Sequence, residues 1–171
     1  MSELKVGFFL GGKKVFEKEK LEKITEGNPG MGGTYFMYLI VVYMLAQRLG
    51  RDNVCLILEE GSVCDCDNFC VVKVRDAREA VAYCGNNGIG KLVINGNDVY
   101  RFEESGLFDS EISFYIWGHN YAEPKCARLV GKYASVKKYI CVSKAQCENM
   151  LCYPCRDKVT YVNNLITDSF Y

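Results

Sequence analysis

The stretch GNPGMGGT at residues 27–34 runs directly into the apolar segment YFMYLIVVYMLA at residues 35–46. Glycines remove side chains that would block an incoming group, and they permit backbone angles that other residues resist. The apolar segment, with Gly50 as a C-terminal cap, predicts a largely buried helix over residues 34–49. The first N–H groups of a helix are unpaired and carry partial positive charge. A glycine-rich loop that opens into a helix is therefore a ready anion site, usually for a phosphate.

Apolar runs of strand length lie on both sides of this element. KVGFFL at residues 5–10 precedes the glycine-rich loop, and NVCLIL at residues 53–58 follows the helix. These runs are continuously apolar rather than alternating, which is typical of strands that are covered on both faces. Further runs of this kind predict strands at residues 70–74, 91–94, 112–117, 139–142 and 159–162.

Helical segments separate most of these runs. Asp76 with Glu79, and Ser143 with Gln146, have the spacing of a capping box at the start of a helix. Residues 103–107 predict a single helical turn. Strands that alternate with helices predict one doubly wound, Rossmann-like α/β domain, with a mostly parallel sheet of about seven strands and helices on both faces.

Composition limits the class of protein. The chain has 171 residues, of which 49% are hydrophobic, enough for one domain with a substantial core. Its formal net charge is zero, which disfavours nucleic-acid binding, because phosphate neutralisation needs a basic excess. The sequence starts without a signal segment, and its longest apolar run is shorter than the ~20 residues of a membrane span. We expect a cytoplasmic protein, with peripheral contact at the inner face of the membrane as an open alternative.

The ten cysteines need an explanation. Without a secretory signal, disulfides are disfavoured. A structural zinc site usually takes four ligands, often in CxxC pairs. The chain offers one such pair, Cys152 and Cys155, besides an irregular cluster at residues 64–70. Free thiols, several of them buried like small apolar residues, are the better interpretation, and no metal site is predicted.

Ligands of an open parallel sheet bind outside the carboxyl ends of its strands. Asn95, Asn97 and Asp98 follow the fourth predicted strand at that edge. Their side chains offer hydrogen bonds suited to a sugar or another polyol, although the same residue types also serve ordinary turns. We take them as candidate acceptor-binding residues.

A second candidate group follows the fifth predicted strand. His119 is the only histidine and lies between Gly118 and Asn120, just after the strand ends. A lone histidine is more often structural than catalytic. Because His119 lies in the predicted crevice, a functional role and a structural role are about equally good interpretations. Asn120 and Tyr121 join the candidate acceptor-binding residues.

Two other functions stay open at this point. In a dinucleotide-binding oxidoreductase of the same fold class, Glu59 at the end of the second strand would hold a ribose hydroxyl. The spacing argues against this, because a long charged segment separates the first strand from the glycine-rich loop, where a dinucleotide fold has a tight turn. The other alternative is a non-catalytic module that binds a glycan or a partner protein.

Five segments together resemble the retaining glycosyltransferases of family four. They are KVGFFLGG at residues 5–12, GNPGMGGT at 27–34, WGHN at 117–120, ICVSKAQ at 140–146 and the segment at 159–166. The double glycine, the histidine after the fifth strand and VSKAQ occur in the family's order, and the segments span essentially the whole chain. The resemblance is to the N-terminal, acceptor-side half of that family's two-domain GT-B architecture.

The resemblance implies roles for particular residues. Gly32, Gly33 and Thr34 would lie against the diphosphate and the transferring sugar of a nucleotide-sugar donor. His119 would contact the donor sugar near the reaction centre, and neither a metal nor a permanently bound cofactor is expected. N–H groups at the start of the helix could then stabilise the charge that builds on the leaving phosphate. The acceptor would be a glycan or a lipid-linked molecule, as in polysaccharide biosynthesis.

The same resemblance divides the chain and implies a missing half. Residues 1–163 would form the Rossmann-like N-terminal domain, and residues 164–171 would begin the interdomain linker. In the family a second Rossmann domain follows, with basic residues and a pair of glutamates that hold the donor. We therefore expect residues 1–171 to be the acceptor-binding half of the enzyme, with little or no transferase activity alone.

Overall fold

The structure, a computed structural model, describes residues 4–118 and 123–162, with side chains for all of these except residues 123–126. That part of the chain contains nine strands and six α-helices. In chain order they are β1 (Val6–Leu10), β2 (Val15–Phe16), α1 (Lys18–Glu22), α2 (Gly33–Leu49), β3 (Val54–Glu59), β4 (Val63–Cys64), β5 (Cys70–Val74), α3 (Ala77–Asn86), β6 (Lys91–Asn95), α4 (Val99–Glu104), β7 (Ser113–Gly118), α5 (Glu123–Lys132), β8 (Val136–Cys141), α6 (Lys144–Met150) and β9 (Val159–Tyr161).

Seven of these strands form one sheet in the order β5-β3-β1-β6-β7-β8-β9. Every pairing in that sheet is parallel, and β2 pairs with β4 as a separate two-stranded element. The chain first moves outward from β1 to β3 and β5, and then returns to β6 on the other side of β1. The strand order thus reverses between β1 and β6, where an open α/β sheet forms its ligand crevice. The predicted doubly wound, Rossmann-like fold is confirmed.

Helices cover both faces of the sheet, which explains why its strands are apolar without alternation. Helices α3 to α6 pack on one face around a core that includes Phe102, Phe108 and Phe114, each at most 2% exposed. On the other face α2 packs over β1 and β3, largely buried as its composition predicts. In the described part of the chain, no helix has both the length and the apolar character needed to span a bilayer.

Tyr38 attaches α2 to the middle of the sheet. Its side chain is fully buried, and its hydroxyl lies 2.9 Å from the carbonyl oxygens of Phe9 in β1 and of Val93 in β6. Burial raises the pKa of this hydroxyl well above its ordinary value, so it remains a hydrogen-bond donor. Because Thr34 lies about one turn earlier on the same side of α2, this contact fixes the start of the helix over the boundary between β1 and β6.

Four elements differ from the prediction. β8 begins at Val136, several residues earlier than its apolar run indicates. β2 and β4 were not predicted, because two-residue strands are too short to show a pattern. The helical turn predicted at residues 103–107 is wrong in position: α4 begins at Val99, because the Asn95 side chain accepts a hydrogen bond from the Asn97 N–H at 2.9 Å and starts the turn upstream.

Candidate functional site

A cavity of about 220 Å³ opens where the strand order reverses, at the carboxyl ends of β1 and β6. The start of α2, the turn after β1 and the turn after β6 form its walls. Its lining residues are Leu10, Gly11, Lys14, Gly32, Gly33, Thr34, Tyr35, Asn95, Asn97 and Asp98. The two groups of residues that the sequence singled out, one for a phosphate and one for a polyol, therefore border a single cavity.

Two carboxylates hold the backbone where β1 ends. The N–H of Gly11 donates to Asp98 Oδ2 at 3.0 Å, and the N–H of Gly12 donates to Glu59 Oε2 at 2.7 Å. Arg101 joins the two acids, since its Nη1 contacts Glu59 Oε1 and its Nε lies 3.5 Å from Asp98 Oδ1. The turn after β1 is thus fixed from the ends of β3 and β6 together, which pre-organises this wall of the cavity.

Asp98 belongs both to the cavity wall and to this network. The residue is 7% exposed, and burial raises the pKa of its carboxyl group above the ordinary value of 3.8. The Gly11 N–H and the Arg101 guanidinium act in the opposite direction, because they stabilise the carboxylate. A carboxylate has about four acceptor sites, so Asp98 keeps capacity for a ligand hydroxyl beyond these two donors.

Lys14 gives the cavity a cation that the sequence analysis did not single out. Its backbone N–H donates to Ser62 Oγ at 3.1 Å, and its carbonyl accepts from the Val63 N–H at 2.7 Å, next to the β2–β4 pair. The ammonium lies 5.1 Å from the centroid of the Tyr35 ring, a cation–π distance. None of the ion pairs within residues 4–118 and 123–162 includes Lys14. Its charge acts on the Asp98 carboxylate of the same cavity and is otherwise available to an anionic ligand.

The glycine-rich loop is braced by its own asparagine. Asn28 Oδ1 accepts hydrogen bonds from the N–H groups of Gly30 at 3.1 Å and of Met31 at 2.9 Å, and the Asn28 amide donates to the Met31 carbonyl. Gly30 has φ +85°, a left-handed conformation that favours glycine. The loop therefore presents Gly32 and Gly33 to the cavity in a conformation that its own hydrogen bonds maintain.

The start of α2 lacks the groups that usually neutralise a helix N-terminus. Gly32 is the N-cap and has no side chain to offer, and the first turn contains no acidic residue. The hydrogen bond from the Phe36 N–H to the Gly32 carbonyl, at 3.0 Å, is the first of the helix. The N–H groups that precede Phe36 in α2 therefore have no partner within the helix. Together with Lys14, they make this side of the cavity favourable for an anion.

The remaining predicted residues fall into two groups. Asn95 is 4% exposed and holds the turn through its bond from the Asn97 N–H, whereas Asn97 is exposed at the cavity rim. His119, Asn120 and Tyr121 lie outside the described residues. The catalytic role of His119 and the acceptor-binding roles of its two neighbours stay predictions.

Both carboxylate oxygens of Glu59 already have partners, which weakens the oxidoreductase alternative. Its Oε2 accepts from the Gly12 N–H, and its Oε1 pairs with Arg101. A ribose hydroxyl would have to displace one of these partners from a side chain that is only 15% exposed. Moreover, β2 and α1 separate β1 from the glycine-rich loop, where a dinucleotide fold has a tight turn.

Sequence reasoning missed Lys14 and Arg101. A signal for Arg101 was present, because it follows Asp98 at a spacing of i,i+3, which brings charged side chains together at the start of a helix. Lys14 had no such signal, since it is one of several lysines interleaved with glutamates. Only the pairing of Val15 with Val63, far apart in the sequence, brings this particular lysine to the cavity.

The nine cysteines whose side chains the structure describes lie away from the cavity lining. Cys55, Cys84 and Cys141 are at most 4% exposed and pack in the core, in agreement with the prediction that they act as small apolar residues. Burial raises the pKa of Cys84 to about 12, which keeps its thiol protonated. Within the described ranges, no three or more His, Cys, Asp or Glu side chains are placed together to hold a metal ion.

Comparisons of the chain with protein-family models, with curated proteins and with solved structures gave no match in any of the three. A Rossmann-like fold by itself hosts many unrelated functions. The function is therefore argued from the chemistry of the cavity, and the resemblance to family-four glycosyltransferases rests on the five sequence segments alone.

Proposed function

We propose that this chain is the acceptor-binding half of a glycosyltransferase, which moves a sugar from a nucleotide-sugar donor to a glycan or lipid-linked acceptor. One observation carries the proposal: a single cavity has anion-favouring groups on one wall and hydroxyl-binding groups on another. The diphosphate of a nucleotide-sugar donor beside the hydroxyl groups of an acceptor would present the matching pair. The resemblance of residues 27–34 and four other segments to family-four enzymes supports the same function.

The anionic part of the donor would lie at the start of α2. Sugar transfer breaks the bond between the anomeric carbon and the diphosphate, so negative charge builds on the leaving phosphate oxygen. The N–H groups of Gly33 and Thr34 and the ammonium of Lys14 would stabilise that charge more strongly in the transition state than in the bound donor. Because the loop is already braced by Asn28, these groups need little rearrangement during the reaction.

The hydroxyl groups of the acceptor would be held at the turn after β6. Asp98 is oriented by the Gly11 N–H and by Arg101, so its carboxylate has a defined direction in which to accept a hydrogen bond from a hydroxyl group. Asn97 lies beside it at the rim of the cavity. His119, outside the described residues, is proposed to contact the donor sugar near the reaction centre.

The proposal assigns the grip on the nucleotide to a donor domain outside residues 1–171. The cavity has one basic side chain among its lining residues, Lys14. We therefore expect residues 1–171 to bind a nucleotide sugar weakly by calorimetry. Tight binding by this chain alone would contradict the division of labour.

Calorimetric titration with inorganic diphosphate tests the anion site directly. Lys14→Ala is expected to weaken diphosphate binding several-fold, because it removes the cation beside the start of α2. Lys13→Ala is the matched control, since it removes the same charge from an exposed neighbour that does not line the cavity. Equal affinities for the two variants would show that the cavity is not the anion site.

The catalytic assignment is tested by His119→Ala in the enzyme that joins this chain to its donor domain. The expected result is a large loss of turnover with nucleotide sugar, while the fold is retained. Unchanged turnover would remove His119 from the proposed mechanism. A coding sequence that continues past Tyr171 into a second α/β domain with paired glutamates would support the enzyme directly.

A further inference from the structure

Two cysteines lie opposite each other on neighbouring strands of the sheet. Cys55 in β3 is paired with Cys70 in the register of the parallel strands β3 and β5, and both thiols are free. Neighbouring strands are about 4.8 Å apart, and a disulfide bond joins residues whose Cα atoms are roughly 4.4–6.8 Å apart. The strand register therefore holds Cys55 and Cys70 at a separation that a disulfide bond can span.

The two side chains point to the same face of the sheet, the face that α3 covers. Cys55 and Cys84 belong to the core on that face, and Cys70 and Tyr83 pack against it. Burial raises the pKa of the Cys55 thiol, and its hydrogen bond with the Cys70 side chain acts in the same direction. The two thiols thus face each other, which is the second geometric requirement of a disulfide bond.

The two thiols differ in their access to solvent. Cys55 is 4% exposed, whereas Cys70 is partly exposed and lies in β5, the edge strand of the described sheet. A small oxidant can therefore reach Cys70 first, and Cys55 is placed to react with the oxidised product. A solvent-accessible thiol next to a resolving thiol is typical of redox-sensitive cysteines.

We propose that Cys55 and Cys70 are an oxidation site, at which hydrogen peroxide converts the two thiols to a reversible disulfide between β3 and β5. The Cys70 sulfur attacks one oxygen of the peroxide and the O–O bond breaks, which yields a sulfenic acid and one molecule of water. The Cys55 sulfur then attacks the Cys70 sulfur, and the S–O bond breaks as hydroxide leaves with the Cys55 proton as a second water. In total the two thiols lose two electrons, and the peroxide gains them.

The disulfide would close a loop that contacts the polar cavity. Residues 56–69 lie between the two cysteines. Within this segment, Glu59 accepts a hydrogen bond from the Gly12 N–H, and Ser62 accepts one from the Lys14 N–H. Oxidation would therefore join the two ends of a segment that positions Lys14, and reduction would release them. The formation of the disulfide does not depend on the proposed transferase function.

Mapping the disulfides after oxidation tests the proposal directly. The reduced chain is treated with an equimolar amount of hydrogen peroxide, the remaining thiols are alkylated, and the protein is cut after glutamate and before aspartate. These cuts place Cys55 in the peptide 52–59 and Cys70 in the peptide 67–75, apart from the other cysteines. We expect these two peptides to be joined by a disulfide that a thiol reductant cleaves.

The mapping of the wild-type chain does not depend on the folding of any variant. A disulfide between Cys55 and Cys84, or oxidation confined to cysteines elsewhere in the chain, would overturn the proposal. An equal yield of the linked peptides from denatured protein would also overturn it, because the fold would then not be what brings the two thiols together.

Two alanine variants separate the roles of the thiols. Cys55→Ala is expected to stop the reaction at the sulfenic acid of Cys70, which dimedone traps as a stable adduct. Cys84→Ala is the matched control, because it removes a neighbouring buried thiol and should leave the disulfide in place. Circular dichroism must show that both variants keep the native fold. Loss of the disulfide in a folded Cys84→Ala variant would contradict the assigned pair.

Discussion

The Asp98 carboxylate accepts a hydrogen bond from the backbone N–H of Gly11, with 3.0 Å between the two heavy atoms, and leaves no space for a side chain at residue 11. A Cβ atom there would overlap the carboxylate and would lie 3.2 Å from the Arg101 guanidinium carbon. Gly11→Ala is therefore expected to displace Asp98 and to lower the free energy of unfolding by about 1–3 kcal/mol. Denaturant titration measures the loss.

Gly85→Ala provides the control for that substitution. Gly85 lies within α3, and a Cβ atom there would meet nothing within 4 Å. Alanine in a helix interior is more stable than glycine by roughly 0.5–1 kcal/mol, so this variant should be slightly more stable than the wild type. If Gly11→Ala and Gly85→Ala had similar stability, the space between Gly11 and Asp98 would be wider than it is in the structure.

Asp98→Asn should change how the stability of the domain depends on pH. A carboxyl group whose pKa is raised in the folded state binds its proton more tightly there, so protonation stabilises the fold. That contribution is fully present below the ordinary value of 3.8, and it is lost as the pH rises through the raised folded-state pKa. Asparagine does not titrate, so the stability of the variant relative to the wild type should increase as the pH rises across this window. Thermal unfolding over an acidic pH series measures this, and a constant difference would contradict it.

The two capping boxes predicted from the sequence form the expected hydrogen bonds in the structure. The N–H of Glu79 donates to Asp76 Oδ1 at 2.9 Å, and the N–H of Gln146 donates to Ser143 Oγ at 3.1 Å. Each contact spans three residues, so a short window of sequence contains all the information it needs. The cavity walls were predictable for a related reason, because the carboxyl ends of neighbouring parallel strands meet at one edge of the sheet.

The interior of the site could not be predicted in the same way. Gly12 bonds to Glu59 across 47 residues, and Lys14 bonds to Ser62 across 48. Such contacts depend on how separate strands are placed, and no local pattern specifies them. The sequence therefore suggested a role for Glu59 only in the disfavoured oxidoreductase alternative, as a ribose ligand, and gave no sign of its contacts with Gly12 and Arg101.

Arg101→Met should destabilise the domain by leaving two carboxylates without their shared partner. Glu59 and Asp98 have side chains only 15% and 11% exposed, so their charges are poorly compensated by solvent. We expect a loss of about 1–3 kcal/mol in the free energy of unfolding. This is less than the cost of breaking a fully buried ion pair, because Arg101 itself is partly exposed.

Lys132→Met is the control, because its partner Glu103 is 3.8 Å away and Lys132 is 51% exposed. Its cost should stay within about 1 kcal/mol. Equal losses would show that the Arg101 bridge is no stronger than a surface pair.

Thr34→Glu should affect stability and binding in opposite directions. The first turn of α2 has no acidic residue, so a carboxylate there would interact favourably with the positive end of the helix. Compared with Thr34→Gln, which matches it in shape without the charge, the glutamate variant should be about 0.3–1 kcal/mol more stable. The same carboxylate would repel an anion bound at the start of α2, so inorganic diphosphate should bind the glutamate variant more weakly in calorimetry. Damage to the fold would lower stability and binding together, whereas an unchanged affinity would mean that the anion lies elsewhere.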